Sequence, residues 1–443
     1  MQLRKALLFF FSLLAISAFV ISACGGDDDD AEPTEAEGTE EPEATEDVDA
    51  TEPEGTEVEG TEEPTEEEVT EVVEHSDNPT QGITDDEIVI GAHFPLSGPV
   101  AVYAPIADAI RAYFESIGPV NGRTIRYETR DDGYNPAQTV EVTNQLVEQE
   151  GVAAFLAGLG TPTHSQVVDT LAEQGIPDLL IASGCSCWTD PLRPTTFAAN
   201  GNYVAEGRSL GQYIVDQGFA TIAAIYQNDE FGQGGFEGMV EVVGDSAEVI
   251  SEETYEANAR DLTSQTINAI ADNPDVLYIF ATPVETGSAI NAARSNGYEG
   301  QIVISTVAAT DFLGALTGTP ENLTGTVTLA GLKLLSQSDD AGIQAHIELM
   351  EGAGIQASNF TVYGQAVAEI FVEALTNAGA DVTRGSLVAA MESITGFQCS
   401  VCLGEINFGP DDHRALETFI FVTFDGTAFV PVEGAEPIAD EGN

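Results

Sequence analysis

Hydroxyl side chains collect where the predicted buried strands end, and they are the residues of this chain best placed for binding chemistry. They are Ser97 after the apolar run Ile88–Ala92, Thr161 and Thr163 after Ala153–Leu156, and Ser183 and Ser186 after Leu179–Ala182. Open α/β sheets bind ligands at the carboxyl ends of their strands. Hydroxyls and the N–H groups of helix N-termini suit a small anion or an amide there. The alternative is that Thr161, Thr163 and Ser183 only cap the helices that follow.

Four cysteines lie beyond residue 24, in the motifs Cys185-Ser186-Cys187 and Cys399–Cys402. An even number of cysteines in an exported protein favours disulfides. Cys399 and Cys402 can close locally, whereas Cys185 and Cys187 would close a small, strained ring. Pairing between the two motifs and a four-thiolate zinc site are the alternatives. Residues 403–408 read as a strand, which argues against a redox C-x-x-C motif, because that motif opens a helix.

No catalytic constellation stands out along the chain. The five histidines are scattered and form no H-E-x-x-H motif; they are His75, His93, His164, His346 and His413. The sequence also has no P-loop pattern, no G-x-S-x-G elbow and no S-x-x-K. We therefore expect no enzymatic activity, no cofactor and no metal site.

Strands and helices alternate from residue 85 onward, which is typical of parallel α/β sheets. One series runs from Ile88 to Ala182 and a second from Val204 to Lys333. Three helices follow, predicted at Asp340–Glu351, Tyr363–Ala378 and Leu387–Ser393, and two extended runs, Thr418–Phe424 and Ala428–Val432, close the chain. This order predicts an α/β fold with two doubly wound, Rossmann-like lobes and late segments that cross back between them.

The first 84 residues are predicted to direct the export of this folded part and to tether it to a membrane. Residues 1–24 read as a signal peptide, with Arg4 and Lys5 before an apolar run. The sequence Ile21-Ser22-Ala23-Cys24 resembles the lipobox of bacterial lipoproteins, in which the cysteine is lipidated. Residues 25–84 are rich in Glu, Thr, Pro and Gly, which predicts a disordered, self-repelling tether. The alternative for Cys24 is a plain secretory signal with an incidental cysteine.

The charge of the chain excludes several partners. The formal net charge is −62, and Lys333 is the only lysine after residue 24. Nucleic-acid binding needs clustered Arg and Lys, so we expect no nucleic-acid partner. Charge-driven binding to an anionic membrane face is excluded by the same argument. The acidic excess suggests concentrated salt, where screening reduces self-repulsion.

Four motifs, in this order, resemble the type I solute-binding proteins of ABC transporters, in the branched-chain amino-acid (Leu/Ile/Val-binding) group. They are IVIGAHFPLSGPVAVYA, GIPDLLIASGCSCWTDP, IAAIYQNDEFGQGGFEGM and INFGPDDHR. The resemblance implies a monomer of two lobes with a three-crossover hinge and a ligand enclosed between the lobes. It places lobe one at 85–199 and 333–414, lobe two at 200–332 and 415–434, and a tail at 435–443.

The resemblance also implies roles for individual side chains. Tyr103 stands where the family has an aromatic ring on the ligand's side chain, and Thr161 matches a hydroxyl for the ligand carboxylate. Phe231 and Thr282 stand where the family places Tyr, so a packing face remains at Phe231 without the hydroxyl. Alternatively, Tyr103 belongs to its helix's packing face and Phe231 to the core.

One family feature is missing from this sequence. The carboxylate that binds a ligand ammonium is expected near Ile304–Ala308, where the chain has Ser305-Thr306-Val307-Ala308 and no acid. An α-amino-acid ligand therefore needs a substitute acid, and the candidates are Asp229, Glu285 and Asp311.

Taken together, these observations predict a lipid-anchored, extracytoplasmic binding protein. It would capture a small polar molecule, such as an amino acid, an amide or a small carboxylate, and deliver it to an ABC permease. The alternative is a ligand-sensing module of the same fold that signals to a membrane receptor.

Overall fold

The computed structural model describes residues 76–439, and its first sheet has five parallel strands. The strands are β1 (Glu87–Phe94), β2 (Thr124–Asp131), β3 (Ala154–Leu156), β4 (Asp178–Ile181) and β5 (Thr196–Ala198), in the order β2-β1-β3-β4-β5. The helices between them are α1 (Ala104–Ile117), α2 (Pro136–Gln145), α3 (Thr161–His164) and α4 (Val168–Glu173). A 3₁₀ turn at Pro99–Tyr103 precedes α1, and a π turn at Leu146–Glu150 extends α2. Strand β5 and helix α3 were not predicted from the sequence, because both are too short to show a period.

The second sheet has eight strands. They are β6 (Thr221–Gln227), β7 (Glu248–Tyr255), β8 (Val276–Phe280), β9 (Gln301–Ile304), β10 (Val327–Ala330), β11 (Thr418–Phe424), β12 (Phe429–Pro431) and β13 (Ile438–Ala439). The order is β12-β11-β10-β9-β8-β6-β7, with β13 paired to β11. Its helices are α5 (Tyr203–Asp216), α6 (Glu230–Val243), α7 (Thr263–Ala269), α8 (Pro283–Ser295) and α9 (Leu313–Leu316). Strands β11 and β12 run antiparallel to their neighbours, which closes this edge of the sheet.

Three later helices return to the first sheet. They are α10 (Ala341–Ala353), α11 (Asn359–Ala378) and α12 (Arg384–Glu392). In the core, Phe371 of α11 packs 5.6 Å from the ring of Phe114 in α1, and both belong to the cluster around Ile90. We call the first sheet with α1–α4 and α10–α12 the first lobe, and the second sheet with α5–α9 the second lobe.

The chain passes between the two lobes three times, at residues 199–202, 331–334 and 415–417. Gly201 allows the first of these segments to pack closely, since a Cβ at this position would lie 2.1 Å from Cζ of Phe419. Because only three short segments join the lobes, rotation about them can open and close the space between the lobes.

Some segments lie differently from the sequence-based expectation. Residues 79–84, assigned to the tether, pack onto the first lobe: Gly82 O accepts from Val89 N at 2.8 Å, and Pro79 O from Arg384 N at 2.8 Å. The folded part therefore begins before residue 85. The strand expected at residues 403–408 is wrong, because this segment forms only an isolated bridge between Ile406 and Phe397.

The predicted signal peptide, Cys24, His75 and most of the predicted tether lie outside the described residues. Within 76–439, no helix is both long and apolar enough to cross a membrane. The α/β architecture of two doubly wound lobes, predicted from the alternation of strands and helices, is confirmed.

Candidate ligand-binding site

A cavity that is open to solvent lies between the lobes. Both lobes and the three crossing segments line it. The lining includes Tyr103, Tyr134, Thr161, Tyr203, Glu206, Phe231, Thr282, Thr306, Val307, Lys333, Phe360 and Tyr363. Most of the surface is aromatic or aliphatic, with few polar groups, which is the usual composition of a small-molecule pocket.

Tyr103 forms the wall of the cavity on the first lobe, where a 3₁₀ turn leads into α1. Its ring is tilted against Phe360 of α11, with 4.8 Å between the ring centroids. Its hydroxyl donates to the backbone oxygen of Val307 in the second lobe, at 3.0 Å. Burial raises the pKa of Tyr103 well above its ordinary value, so the hydroxyl remains a donor. Tyr103 therefore both lines the cavity and connects the two lobes.

Phe231 forms the facing wall on the second lobe, in the first turn of α6. The Asp229 carboxylate caps this helix by accepting from the N–H groups of Phe231 and Gly232, at 3.1 and 3.3 Å. The Phe231 ring lies 4.9 Å from Tyr203 of α5, in an edge-to-face arrangement. The residue is both a cavity wall and a member of the second-lobe core, so the two interpretations left open for it are compatible.

Thr161 lies at the floor of the cavity, and the fully buried Ser183 lies behind it, outside the lining. Thr161 Oγ1 and Ser183 Oγ are 2.7 Å apart, across the neighbouring ends of β3 and β4. Gly160, just before Thr161, has φ 106°, and a Cβ there would lie 2.4 Å from Tyr134. The glycine thus lets the chain turn sharply into α3 and keeps Thr161 at the cavity surface.

The other predicted polar residues are not brought to the cavity lining. Ser97 is exposed, and its N–H donates to Asp131 at 3.1 Å. Thr163 donates back to Leu159 O within its own turn, at 2.8 Å. Ser186 lies in a 3₁₀ turn at Ser186–Trp188, outside the lining. These three residues lie in local turns outside the cavity lining.

Thr282 lines the cavity, but Glu285 lies behind it. Thr282 precedes α8, and its hydroxyl donates to the fully buried Glu285 carboxylate. The same carboxylate accepts from Arg260 N at 3.2 Å. Glu285 therefore supports the cavity wall and is not part of the cavity surface.

Asp229 and Asp311, the other candidate substitutes for the missing acid, also lie outside the lining. Asp229 is engaged as the cap of α6, and its partial burial raises its pKa. Asp311 Oδ2 accepts from Asn359 N of α11 at 2.7 Å, which adds a second contact between the lobes.

A different acid, Glu206, lines the cavity and was not identified from the sequence. It lies in the first turn of α5 and is 2% exposed. Thr306 orients it: Oε1 accepts from Thr306 N at 2.7 Å and Oε2 from Thr306 Oγ1 at 2.8 Å. The available sequence signal was an acid on the apolar face of its helix, in line with Tyr203 and Leu210.

Lys333 is the base among the lining residues, and its ammonium is engaged at the edge of the cavity. Lys333 Nζ lies 3.0 Å from Asp340 Oδ2 and donates to Ser400 O at 3.0 Å. Ser400 lies inside the Cys399–Cys402 loop. The side chain therefore ties the second crossing segment to α10 and to this loop.

Behind the Thr161 turn, four buried side chains form one hydrogen-bonded chain. Asp132 Oδ2 lies 2.8 Å from His93 Nδ1, His93 Nε2 lies 2.8 Å from His164 Nδ1, and His164 Nε2 lies 2.7 Å from Asp178 Oδ2. All four side chains are fully buried. The chain joins β1, β4 and α3 to the loop after β2, and therefore fixes α3 beneath the cavity.

The cysteines pair locally in the structure, Cys185 with Cys187 and Cys399 with Cys402. This leaves no free thiolate among these four for the alternative zinc site. Across residues 76–439, no group of three or more His, Cys, Asp or Glu side chains is arranged to hold a metal ion.

Comparison with known proteins places this architecture in a family. The family profile described as periplasmic binding protein matches residues 87–428. An amino acid binding protein of Pseudomonas aeruginosa is 23% identical over 306 residues, which cover 67% of this chain and 80% of that protein. A chemotactic signal transduction system substrate-binding protein of Halobacterium salinarum is 21% identical over 334 residues, which cover 70% of this chain and 75% of that protein.

A solved structure with the same fold is a fatty acid ABC transporter substrate-binding protein from Thermomonospora curvata. Its TM-score is 0.72 at 23% sequence identity, and the match covers 81% of this chain and 94% of that one. The family indicated by the four sequence motifs is confirmed.

Proposed function

The chain belongs to the periplasmic binding protein family, and we propose that it captures a small polar molecule between its lobes and delivers it to an ABC permease. The observation that carries this proposal is the cavity shared by both lobes and all three crossing segments. A ligand that contacts both walls at once stabilises the closed arrangement, because those contacts exist together only in that state.

For the ligand we propose an amino acid, an amide or a small carboxylate. Tyr103 and Phe231 would pack against its apolar part from opposite lobes, and Thr161 and Thr282 would supply hydroxyl contacts. Ser183 would support Thr161 from behind. The names of similar proteins indicate different ligands: the relative from Pseudomonas aeruginosa is named for amino acids, and the solved structure from Thermomonospora curvata is named for fatty acids. The class of ligand therefore has to be inferred from the side chains that line this chain's own cavity.

Proteins of this family are extracytoplasmic, and we propose that this one is held at the cell membrane by a lipid on Cys24. The lipobox-like sequence before Cys24 and the acidic, low-complexity stretch after it support this proposal. The stretch would hold the folded part away from the membrane. Labelling of cells with a fatty-acid probe tests the anchor, with Cys24→Ala expected to lose both the label and the membrane fraction.

A sensing role is the second candidate function. It rests on the relative from Halobacterium salinarum, whose name assigns it to chemotactic signal transduction. The two candidates share the ligand and differ in the membrane partner. Co-purification from membranes, with ligand present, distinguishes a permease from a receptor.

The first experiment is a thermal-shift screen of the purified full-length chain in concentrated KCl. An unfolding and refolding step before the screen removes any co-purified ligand. A ligand at ~100 times its Kd stabilises the folded state by ~2.7 kcal/mol, which gives a clear rise in Tm. Binding of any small molecule in the screen supports the solute-binding function, and failure of every one of them contradicts it.

A further inference from the structure

Glu206 is the carboxylate among the side chains that line the cavity. It lies on the same face of α5 as Tyr203, three residues earlier, so both side chains face the space between the lobes. Burial of a carboxylate costs free energy unless hydrogen bonds or an opposite charge compensate it. The two hydrogen bonds from Thr306 fix the direction of the carboxylate and hold it at the cavity wall.

No lining side chain offers a positive charge to an anionic ligand. Lys333 is the base in the lining, and its ammonium is bound by Asp340 and by Ser400 O. A ligand that carried only a carboxylate would therefore share the cavity with Glu206, the acid of its lining. Like charges repel, and at a partly buried carboxylate water screens this repulsion less than in bulk solvent.

The cavity walls also suit a positively charged nitrogen. Tyr103 and Phe360 form one aromatic pair and Tyr203 and Phe231 the other, each with ring centroids less than 5 Å apart. The faces of aromatic rings attract cations, and the attraction grows when water is excluded. An anionic group gains nothing from these faces.

We propose that Glu206 is the counter-ion for a positively charged nitrogen of the ligand, so that the ligand is an apolar organic cation or zwitterion. This inference rests on the proposed ligand-binding function. Among the ligand classes named there it favours amino acids over carboxylates, and it adds organic cations to them. It also accounts for the missing acid. The segment 304–308 has no carboxylate of its own, and Glu206 reaches it from α5 through Thr306.

The test uses ligands that differ only in their charged groups, and the full-length chain. Leucine is compared with isoamylamine, which lacks its carboxylate, and with 4-methylpentanoate, which lacks its nitrogen. Choline and glycine betaine distinguish a methylated nitrogen from an ammonium. Each Kd is measured by titration calorimetry in concentrated KCl and at moderate salt. We expect leucine, the amine or a methylated cation to bind, and 4-methylpentanoate to bind at least 10-fold more weakly than the best of them.

Variants then separate the charge of Glu206 from its structural contact with Thr306. Glu206→Gln keeps a hydrogen-bond acceptor and loses the charge, and we expect a loss of affinity on the order of 10- to 100-fold for the cationic ligand. Glu206→Asp keeps the charge on a side chain that is one methylene shorter, and we expect a smaller loss of affinity. Glu241→Gln is the matched control, because it also removes the charge of one acid. Glu241 lies at the surface in α6 and pairs with Arg208 of α5, the helix that carries Glu206. The control leaves the Kd unchanged.

Several results overturn the inference. One is preferential binding of 4-methylpentanoate, which leaves the solute-binding function intact. Another is a folded Glu206→Gln variant whose Kd for a cationic ligand stays within threefold of the original, since Glu206 is then only a structural partner of Thr306. If Glu206→Gln does not fold, the comparison of ligands on the unmodified chain still decides. If no ligand of any class binds, the proposed function and this inference fail together.

Discussion

The hydroxyl of Tyr103 in the first lobe donates to the backbone oxygen of Val307 in the second lobe, at 3.0 Å. Two further bonds cross the same space: Asn258 Nδ2 donates to Tyr134 O at 3.2 Å, and Asn359 N donates to Asp311 at 2.7 Å. None of these bonds can exist when the lobes are apart. They therefore contribute to the free energy of closure and not to the stability of either lobe.

Tyr103→Phe keeps the ring that lines the cavity and removes the bond to Val307. A hydroxyl of this kind contributes about 0.5–1.5 kcal/mol, so we expect ligand affinity to fall by about 2- to 12-fold. The free energy of unfolding of the first lobe stays nearly constant. Titration calorimetry measures the affinity, and X-ray scattering measures the radius of gyration without ligand, which we expect to rise.

Tyr127→Phe is the matched control for this prediction. Its hydroxyl donates to Leu156 O at the same distance of 3.0 Å, but within the first lobe. Its loss should lower the stability of the lobe and leave ligand affinity unchanged. If both variants reduce affinity equally, the Tyr103–Val307 bond has no special role in closure.

Two buried histidines predict how stability depends on pH. Burial lowers the pKa of His93 and of His346 below 6.5. Unfolded histidine still binds a proton at pH ~6.5, so the unfolded state takes up more protons as the pH falls. Each histidine then reduces the free energy of unfolding by up to about 1.4 kcal/mol per pH unit below ~6.5.

Urea unfolding at pH 7.5 and pH 5.5, in concentrated KCl, measures this loss. His346 bonds to Gln365 and Thr361, both at 2.8 Å, and His346→Gln replaces it with a side chain that does not titrate. The variant should lose less stability between the two pH values than the unmodified protein. An unchanged pH slope would show that His346 binds its proton equally well in both states.

The order of strands and helices could be predicted from the sequence, because most of these elements are long and have a periodic pattern of apolar residues. The apolar run at Ile88–Ala92 marks β1, and helical spacing from Ile106 to Ile117 marks α1. The four-residue helix at Thr161–His164 has no measurable period, and its start depends on the close contact of Gly160 with Tyr134. Contacts of that kind join residues far apart in sequence and leave no local pattern.

The cavity could be predicted only in part. Tyr103, Thr161, Phe231 and Thr282 line it, because each follows or opens an element at the edge of its sheet. Glu206 was missed because an acid in the first turn of a helix has an ordinary explanation in the helix dipole. Its contact with Thr306 spans 100 residues, and only the folded chain shows it.

Gly160→Ala tests whether the turn into α3 determines the cavity floor. A Cβ at Gly160 would strain a backbone with φ 106° and lie 2.4 Å from Tyr134 Cε2. Gly297 also has a positive φ, of 80°, but no heavy atom lies within 4 Å of the position that a Cβ would take.

We expect Gly297→Ala to lower the free energy of unfolding by about 1–2 kcal/mol from strain alone. Gly160→Ala should cost about 2–5 kcal/mol, since overpacking is added, and should also weaken ligand binding. Denaturant unfolding and calorimetry measure the two effects, and equal costs at both glycines would contradict the close contact.

The Cys399–Cys402 loop is predicted to hold the second crossing segment in place. Lys333 N donates to Val401 O at 3.0 Å, and Lys333 Nζ donates to Ser400 O at 3.0 Å, so the loop holds a residue of the cavity lining at both its backbone and its side chain. A disulfide that closes so short a loop contributes about 2 kcal/mol through the entropy of the unfolded chain.

We expect Cys399→Ser combined with Cys402→Ser to lower the free energy of unfolding by about 2 kcal/mol and to weaken ligand binding. The control combines Cys185→Ser with Cys187→Ser, a pair of similar loop length outside the cavity lining. It should lose similar stability with a smaller change in affinity, because Lys333 keeps its bonds to the intact Cys399–Cys402 loop. Unfolding curves and Kd values, with and without reductant, separate the two effects. If the control loses as much affinity as the first variant, the disulfide loop does not position the crossing segment.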